Sequence, residues 1–84
     1  MVDSPLIAKS KEFALQIIKV CNYIKQTKKE TVLTTQLIRS GTSVGANIRE
    51  AFYGHGTADF IAKLQIALKE CGESEYWLEL LIES

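Results

Sequence analysis

The chain carries one histidine, one proline, one tryptophan and two cysteines among its 84 residues. Each scarcity excludes something. A single histidine with two distant cysteines leaves a tetrahedral zinc site without its usual ligand set. Two cysteines are also too few for a disulfide scaffold. Cys21 and Cys71 both fall inside helical apolar patterns, so they read as small buried hydrophobes in a reducing, cytoplasmic setting. No apolar run approaches the roughly 20 residues that cross a bilayer. The first ten residues lack the basic start and apolar core of a secretory signal. Nowhere do apolar and polar residues alternate over a strand's length, and no low-complexity segment or linker is visible.

A hydrophobic content of 46% supports a packed core. At this length the chain is one domain, residues 1–84, whose core alone is marginal, so association with further copies is expected to supply burial. The net charge of zero conceals a polarity. Residues 1–49 hold eight bases against three acids, a net of +5, whereas residues 50–84 hold two bases against seven acids, a net of −5. Two readings follow. Complementary faces of neighbouring helices attract one another, or the basic half forms a nucleic-acid surface through Lys25, Lys28, Lys29, Arg39 and Arg49.

Three helices account for the periodicity. Ser4 and Pro5 suit the cap and first position of the first, which carries Leu6, Ser10, Phe13, Ile17, Val20 and Ile24 at spacings of four and three. A turn near Lys29 to Thr31 leads to a second helix ending about Tyr53. Gly54-His55-Gly56 then breaks the pattern, and Thr57 is expected to cap a third helix with Asp59 in its first turn. Phe60, Leu64, Ala67, Cys71, Ser74, Leu78 and Leu81 form its main stripe. Ile61, Leu68 and Ile82 form a second stripe, interrupted by Glu75. Seven-residue periods and short connections predict an all-α antiparallel up-and-down bundle of the four-helix type, with three helices in this chain and a groove where a fourth would sit. Either a neighbouring subunit closes that groove or the chain is a shortened bundle.

The second helix has an unusual density of small residues. Leu37, Gly41, Val44, Ile48 and Ala51 share one face, with Ser43, Gly45 and Ala46 beside them. Interior glycines cost a helix about 1 kcal/mol each relative to alanine, so Gly41 and Gly45 need a compensating close contact or mark a kink. That contact lies within the bundle or between subunits. A phosphate-cradling loop lacks the preceding strand and the Gly-Lys-Ser/Thr ending. Asn47 is expected to bond backbone near the glycines, and Arg49 to grip either a carboxylate or a phosphate. Tyr76 and Trp77 anchor a protein contact, fill the open side of the bundle or stack on unpaired bases.

No pair of carboxylates, no nucleophile–base pair and no metal or cofactor set emerges, so no catalytic residue, cofactor or small-molecule substrate is expected, and the chain reads as non-enzymatic. His55, between two glycines, reads as a solvent-exposed turn residue.

Four segments resemble a known family: EFALQIIKVCNYI (residues 12–24), RSGTSVGANIREA (39–51), ADFIAKLQIALKE (58–70) and EYWLELL (75–81). The chain is similar to the bacterial four helix bundle proteins, also called the 23S rRNA-intervening-sequence protein family, along nearly its whole length. The resemblance implies small up-and-down bundles assembled into rings, commonly pentamers. It also implies a fourth helix after EYWLELL, which a chain ending at Ser84 is expected to lack. Some members are encoded within insertions in ribosomal RNA genes, and a related group serves as accessory proteins to the reverse transcriptase of diversity-generating retroelements. RNA or an RNA-handling protein is therefore an expected partner. The family implies no catalytic residues.

Overall fold

The structure, a computed structural model, describes residues 4–84. Three helices occupy almost all of that span: α1 (Pro5–Lys28), α2 (Val32–Tyr53) and α3 (Gly56–Glu83). The bundle is elongated, 44 × 21 × 15 Å. Its long axis is the length of α3, since 28 residues rise about 42 Å.

Contacts between helices fix the directions. Cys21 meets Thr34, Ile17 meets Gly41 and Ser10 meets Gly45, so α1 and α2 run antiparallel. Ser40 meets Ser74, Glu50 meets Lys63 and Phe52 meets Phe60, so α2 and α3 do too. The fold is thus the expected all-α antiparallel bundle. Helix α2 packs on both others, whereas no Cα of α1 lies within 8 Å of one in α3. The molecule is an open V in section, with α2 at its vertex.

Local signals explain most helix ends. The Ser4 hydroxyl accepts the Leu6 N–H at 3.2 Å and Pro5 opens α1. Lys25 and Lys28 stand in the last turn, and Lys29 closes the helix in the left-handed conformation, φ 57°. At the α2–α3 turn the outcome differs from expectation. Thr57 does not cap α3: the helix starts at Gly56, whose φ of +81° swings the chain into it, and His55 takes the cap position without a side-chain bond. The Phe52 and Phe60 rings pack edge to face, with centroids 5.3 Å apart, and seal this end.

The core has two clusters, both built on α2. Leu37 is fully buried with Ile17 and Cys21, covered by Phe13, Trp77, Leu78 and Leu81. Val44 and Ile48 pack with Ala67, covered by Ile7, Phe13, Phe52 and Leu64. Burying a side chain such as Leu37 contributes about 1.5–3 kcal/mol. The outer helices are less well covered, because each has only α2 as a neighbour. Leu6 and Val20 of the α1 stripe are exposed, and so are Ile61, Leu68 and Ile82 of the second α3 stripe, Leu68 at 73% and Ile82 at 81%. Cys71 also departs from expectation: it is exposed, while Cys21 is buried with its thiol donating to the Thr34 carbonyl at 3.6 Å.

The start of α2 is held by a residue outside it. Thr31 occupies the cap position but makes no side-chain cap bond. Glu30 does the work instead. Its carboxylate accepts the N–H groups of Leu33 at 2.8 Å and Thr34 at 3.0 Å. These bonds, that from Leu33 foremost, hold the Glu30 carboxyl below the ordinary glutamate range. A carboxyl whose pKa is depressed by folding stabilises the fold fully above its unfolded value, and that contribution fades as pH falls through the lowered folded value. Melting curves from about pH 7 to about pH 2 are expected to show this fading in the parent and a flatter acid limb in Glu30→Gln, whose amide oxygen accepts without titrating. Identical acid limbs would count against Glu30 as the cap.

Candidate interaction surfaces

Helix α2 meets its neighbours along two seams of small residues. Toward α1, Gly41 lies under Ile17, whose Cγ2 and Cγ1 stand 3.1 and 3.2 Å from where a Cβ on residue 41 would be. One turn on, Gly45 faces the Ser10 hydroxyl and the Ser10 carbonyl at 3.3 and 3.5 Å from the corresponding point. Ser10 is buried, and its hydroxyl donates to the Ile7 carbonyl at 3.0 Å. The two glycines therefore let α1 approach α2 inside the molecule, which is the compensation their helical cost requires.

Toward α3 the seam is a serine pair that the sequence patterns did not single out as a contact. Ser40 and Ser74 are fully buried, with hydroxyl oxygens 2.8 Å apart. Ser74 also donates to the Glu70 carbonyl at 2.9 Å, and Ser40 lies 3.4 Å from the Leu37 carbonyl. Two small polar side chains satisfied by backbone can sit in a dry helix crossing without loss. The available signal was their helical register, since Ser74 fell on the main apolar stripe.

The remaining interface candidates divide. Val44 and Ile48 are buried core residues. Ser43 is half-buried and donates to the Arg39 carbonyl at 2.7 Å, and Ala46 is exposed. Asn47 donates to the Ser43 carbonyl at 2.8 Å, the backbone bond expected of it near the glycines. Trp77 is half-buried against the Leu37 cluster and donates its indole N–H to Glu73 at 3.2 Å. Tyr76 is exposed, its ring centroid 5.2 Å from that of Trp77.

The five basic candidates are not brought together. Arg39 is committed to α3: it pairs with Glu70 at 3.3 Å and with Glu73, while Gln36 accepts from its Nε at 3.1 Å. Lys25, Lys28 and Lys29 lie at the C-terminal end of α1. Arg49 lies toward the other end, in a shallow groove with Lys11, Ala14, Thr42 and Ala46. Lys11 and Lys28 are seventeen residues apart in α1, about 26 Å along its axis.

Between α1 and α3 runs a third surface, an open groove of about 260 Å³ lined by Leu6, Val44, Ile48, Leu64, Leu68 and Cys71. Its walls are almost wholly apolar. The Cys71 thiol at its edge is pushed above the ordinary cysteine range by desolvation, and burial raises Cys21 as well. Among the described residues no three His, Cys, Asp or Glu side chains gather as metal ligands, and His55 is exposed in its turn. No described helix is long and apolar enough to cross a membrane.

A family model described as the 23S rRNA-intervening sequence protein matches residues 3–84. A crystal structure of a protein with unknown function from the S23 ribosomal protein family of Bacteroides thetaiotaomicron superposes with a TM-score of 0.90. It is 54% identical, and the match covers 93% of this chain and 72% of that one. No curated protein matches the chain.

The seam geometry yields a stability prediction. Gly41→Leu is expected to lower the unfolding free energy by about 1–3 kcal/mol, because overpacking against buried Ile17 outweighs the gain in helix propensity. Urea denaturation measures it, and an unchanged or raised midpoint would show that α1 does not lie so close.

Proposed function

We propose, from the premise that this chain belongs to the 23S rRNA-intervening sequence protein family, that it is a non-enzymatic, self-associating helical scaffold. The observation that carries this reading is the open apolar groove between α1 and α3. Three helices leave Leu6, Leu68 and Ile82 in water, and a further amphipathic helix laid into the groove would cover them. In that arrangement α1, α2 and α3 are three members of a four-helix bundle in a single domain. Self-association through this apolar surface builds a ring that family resemblance makes pentameric. The cytoplasm is the compartment that suits its unpaired thiols.

The partner served by such a scaffold is RNA or an RNA-handling protein, by the family's name and the basic first half of the chain.

A second reading is direct nucleic-acid binding, of the kind expected of accessory proteins to diversity-generating retroelements. It is favoured by Lys11 and Arg49, which flank one groove and make no ion pair among the described residues. Binding to structured RNA through these and through Lys25, Lys28 and Lys29 should fall steeply with salt, as released counterions require. A flat salt dependence, or no association at low salt, would remove it.

For the scaffold, light scattering at micromolar concentration is expected to give a particle several times the 9.4 kDa chain mass, five times for the pentamer. Leu6→Glu combined with Leu68→Glu should return it to single chains, since both charges would lie in the groove. A parent protein that stays a stable monomer under these conditions defeats the proposal.

A further inference from the structure

On its solvent side the α1–α2 seam opens into a groove of about 300 Å³, at the lower end of the range for small-ligand sites. Lys11 of α1 and Arg49 of α2 both line it. Far apart in the chain, they come to one groove because the antiparallel helices cross with Ser10 against Gly45. Ala14 and Ala46 keep the walls short between them.

No acid is among the residues that line this groove. Glu12 follows Lys11 in sequence, but one residue of helical rotation turns it onto another face of α1. Glu50 follows Arg49 and is engaged by Lys63 of α3. Neither Lys11 nor Arg49 makes an ion pair among the described residues, in contrast to Arg39, which α3 neutralises. The two hydroxyls of the groove are spent inward: Ser10 donates to the Ile7 carbonyl and Thr42 to the Ile38 carbonyl. The lining side-chain donors left over are an ammonium and a guanidinium. Two like charges sharing one groove repel, and an anion between them removes the repulsion.

The donor set favours phosphate over carboxylate. A guanidinium fork takes two oxygens at once, and a carboxylate has both of its oxygens in one plane. A tetrahedral phosphate can fill the fork and still turn lone pairs toward an ammonium on the opposite wall.

The seam continues away from this groove without a charge. Lys11, Ala14, Ile18, Asn22 and Lys25 follow at spacings of three and four on α1, so they share one side of it. Lys25 is half-buried, whereas Lys28 and Lys29 are exposed. Its charge also acts on the Cys21 thiol, which bonds Thr34 of α2, so Lys25 belongs to the α2 side. Lys28 lines a separate pocket with Ile24, Leu81 and Ile82 and is not part of this track. From Lys11 to Lys25 is about 21 Å along α1, on the order of six phosphates at the duplex spacing of about 3.4 Å per strand.

We propose that Lys11 and Arg49 clamp one phosphate of a nucleic-acid strand in the α1–α2 groove, and that the strand runs along the seam to Lys25. The inference rests on the nucleic-acid reading above and adds where the backbone is gripped and in which direction it runs. Contacts to phosphate alone carry no base preference. The clamp shares no lining residue with the apolar groove between α1 and α3, so association through that groove leaves it open.

Fluorescence anisotropy with a labelled oligouridylate of roughly twelve nucleotides, twice the reach to Lys25, tests the idea at low salt. Lys11→Gln and Arg49→Gln should each weaken binding about tenfold, the loss expected of one charge-assisted contact. Ala46→Glu, which places a carboxylate in the groove at an exposed position, should abolish it. Circular dichroism checks that all three keep the parental helix content. Lys19→Gln removes the same charge from a side of α1 away from the seam and should cost far less. Uridine monophosphate should compete weakly, with an affinity that Lys11→Gln lowers and Lys25→Gln does not; Lys25→Gln should weaken the oligomer.

An oligomer bound equally by the parent, Lys11→Gln, Arg49→Gln and Ala46→Glu overturns the clamp and leaves nucleic-acid binding standing. So does a loss from Lys19→Gln as large as that from Lys11→Gln, which would report overall charge alone. Competition by polyglutamate as strong as by unlabelled oligouridylate would make the groove a carboxylate site and overturn it too. Monophosphate and oligomer binding alike, with Lys25→Gln silent on both, would overturn the track along the seam. A parent chain that binds no oligomer at low salt removes the nucleic-acid reading and this inference together.

Discussion

How closely α2 can be approached from two sides governs the rest of this molecule. Gly41 and Gly45 admit α1, and Ser40, opposite Ser74, admits α3. These small residues occupy two flanks of one helix. The large apolar residues between them, Leu37, Val44 and Ile48, are thereby turned into the angle that the flanking helices enclose. Dense packing along two seams makes α2 the best-buried element, and it leaves α1 and α3 each with a single neighbour.

The groove follows from the same constraint. The two helices drawn onto α2 from separate flanks do not close on one another: no Cα of α1 lies within 8 Å of one in α3. Their inward edges, Leu6 on one side and Leu64 and Leu68 on the other, form the walls of an apolar trough. This exposed apolar surface is what the proposed association would cover.

Electrostatics obey that geometry too. Arg39 reaches Glu70 and Glu73, and Glu73 also takes the Trp77 indole, so one basic residue of α2 organises part of the acidic helix. Exposed pairs of this kind contribute little energy, but they align α3 on α2. Among the described residues the lysines of α1 have no such counterpart. The split between a basic and an acidic half is therefore a property of two separated surfaces, not of a neutralised interior.

Much of the architecture was decided locally and could be read from the chain. Ser4-Pro5, the break at Gly54-His55-Gly56 and the seven-residue periods mark helix ends and apolar faces through backbone preferences that act over a few residues. What the sequence could not decide was which of several chemically eligible partners each residue meets. Glu30 displaced Thr31 as the cap because its longer side chain reaches back to two amides. Cys71 and Ser74 share one stripe, yet only Ser74 faces α2, since the stripe is wider than a single neighbouring helix can cover. Arg39 and Arg49 look alike in the sequence, and only the position of α3 paired one and left the other in a groove. Periodicity belongs to a helix alone and so is written in the order of residues; burial and pairing belong to the space between helices, and that space exists only once all three have packed.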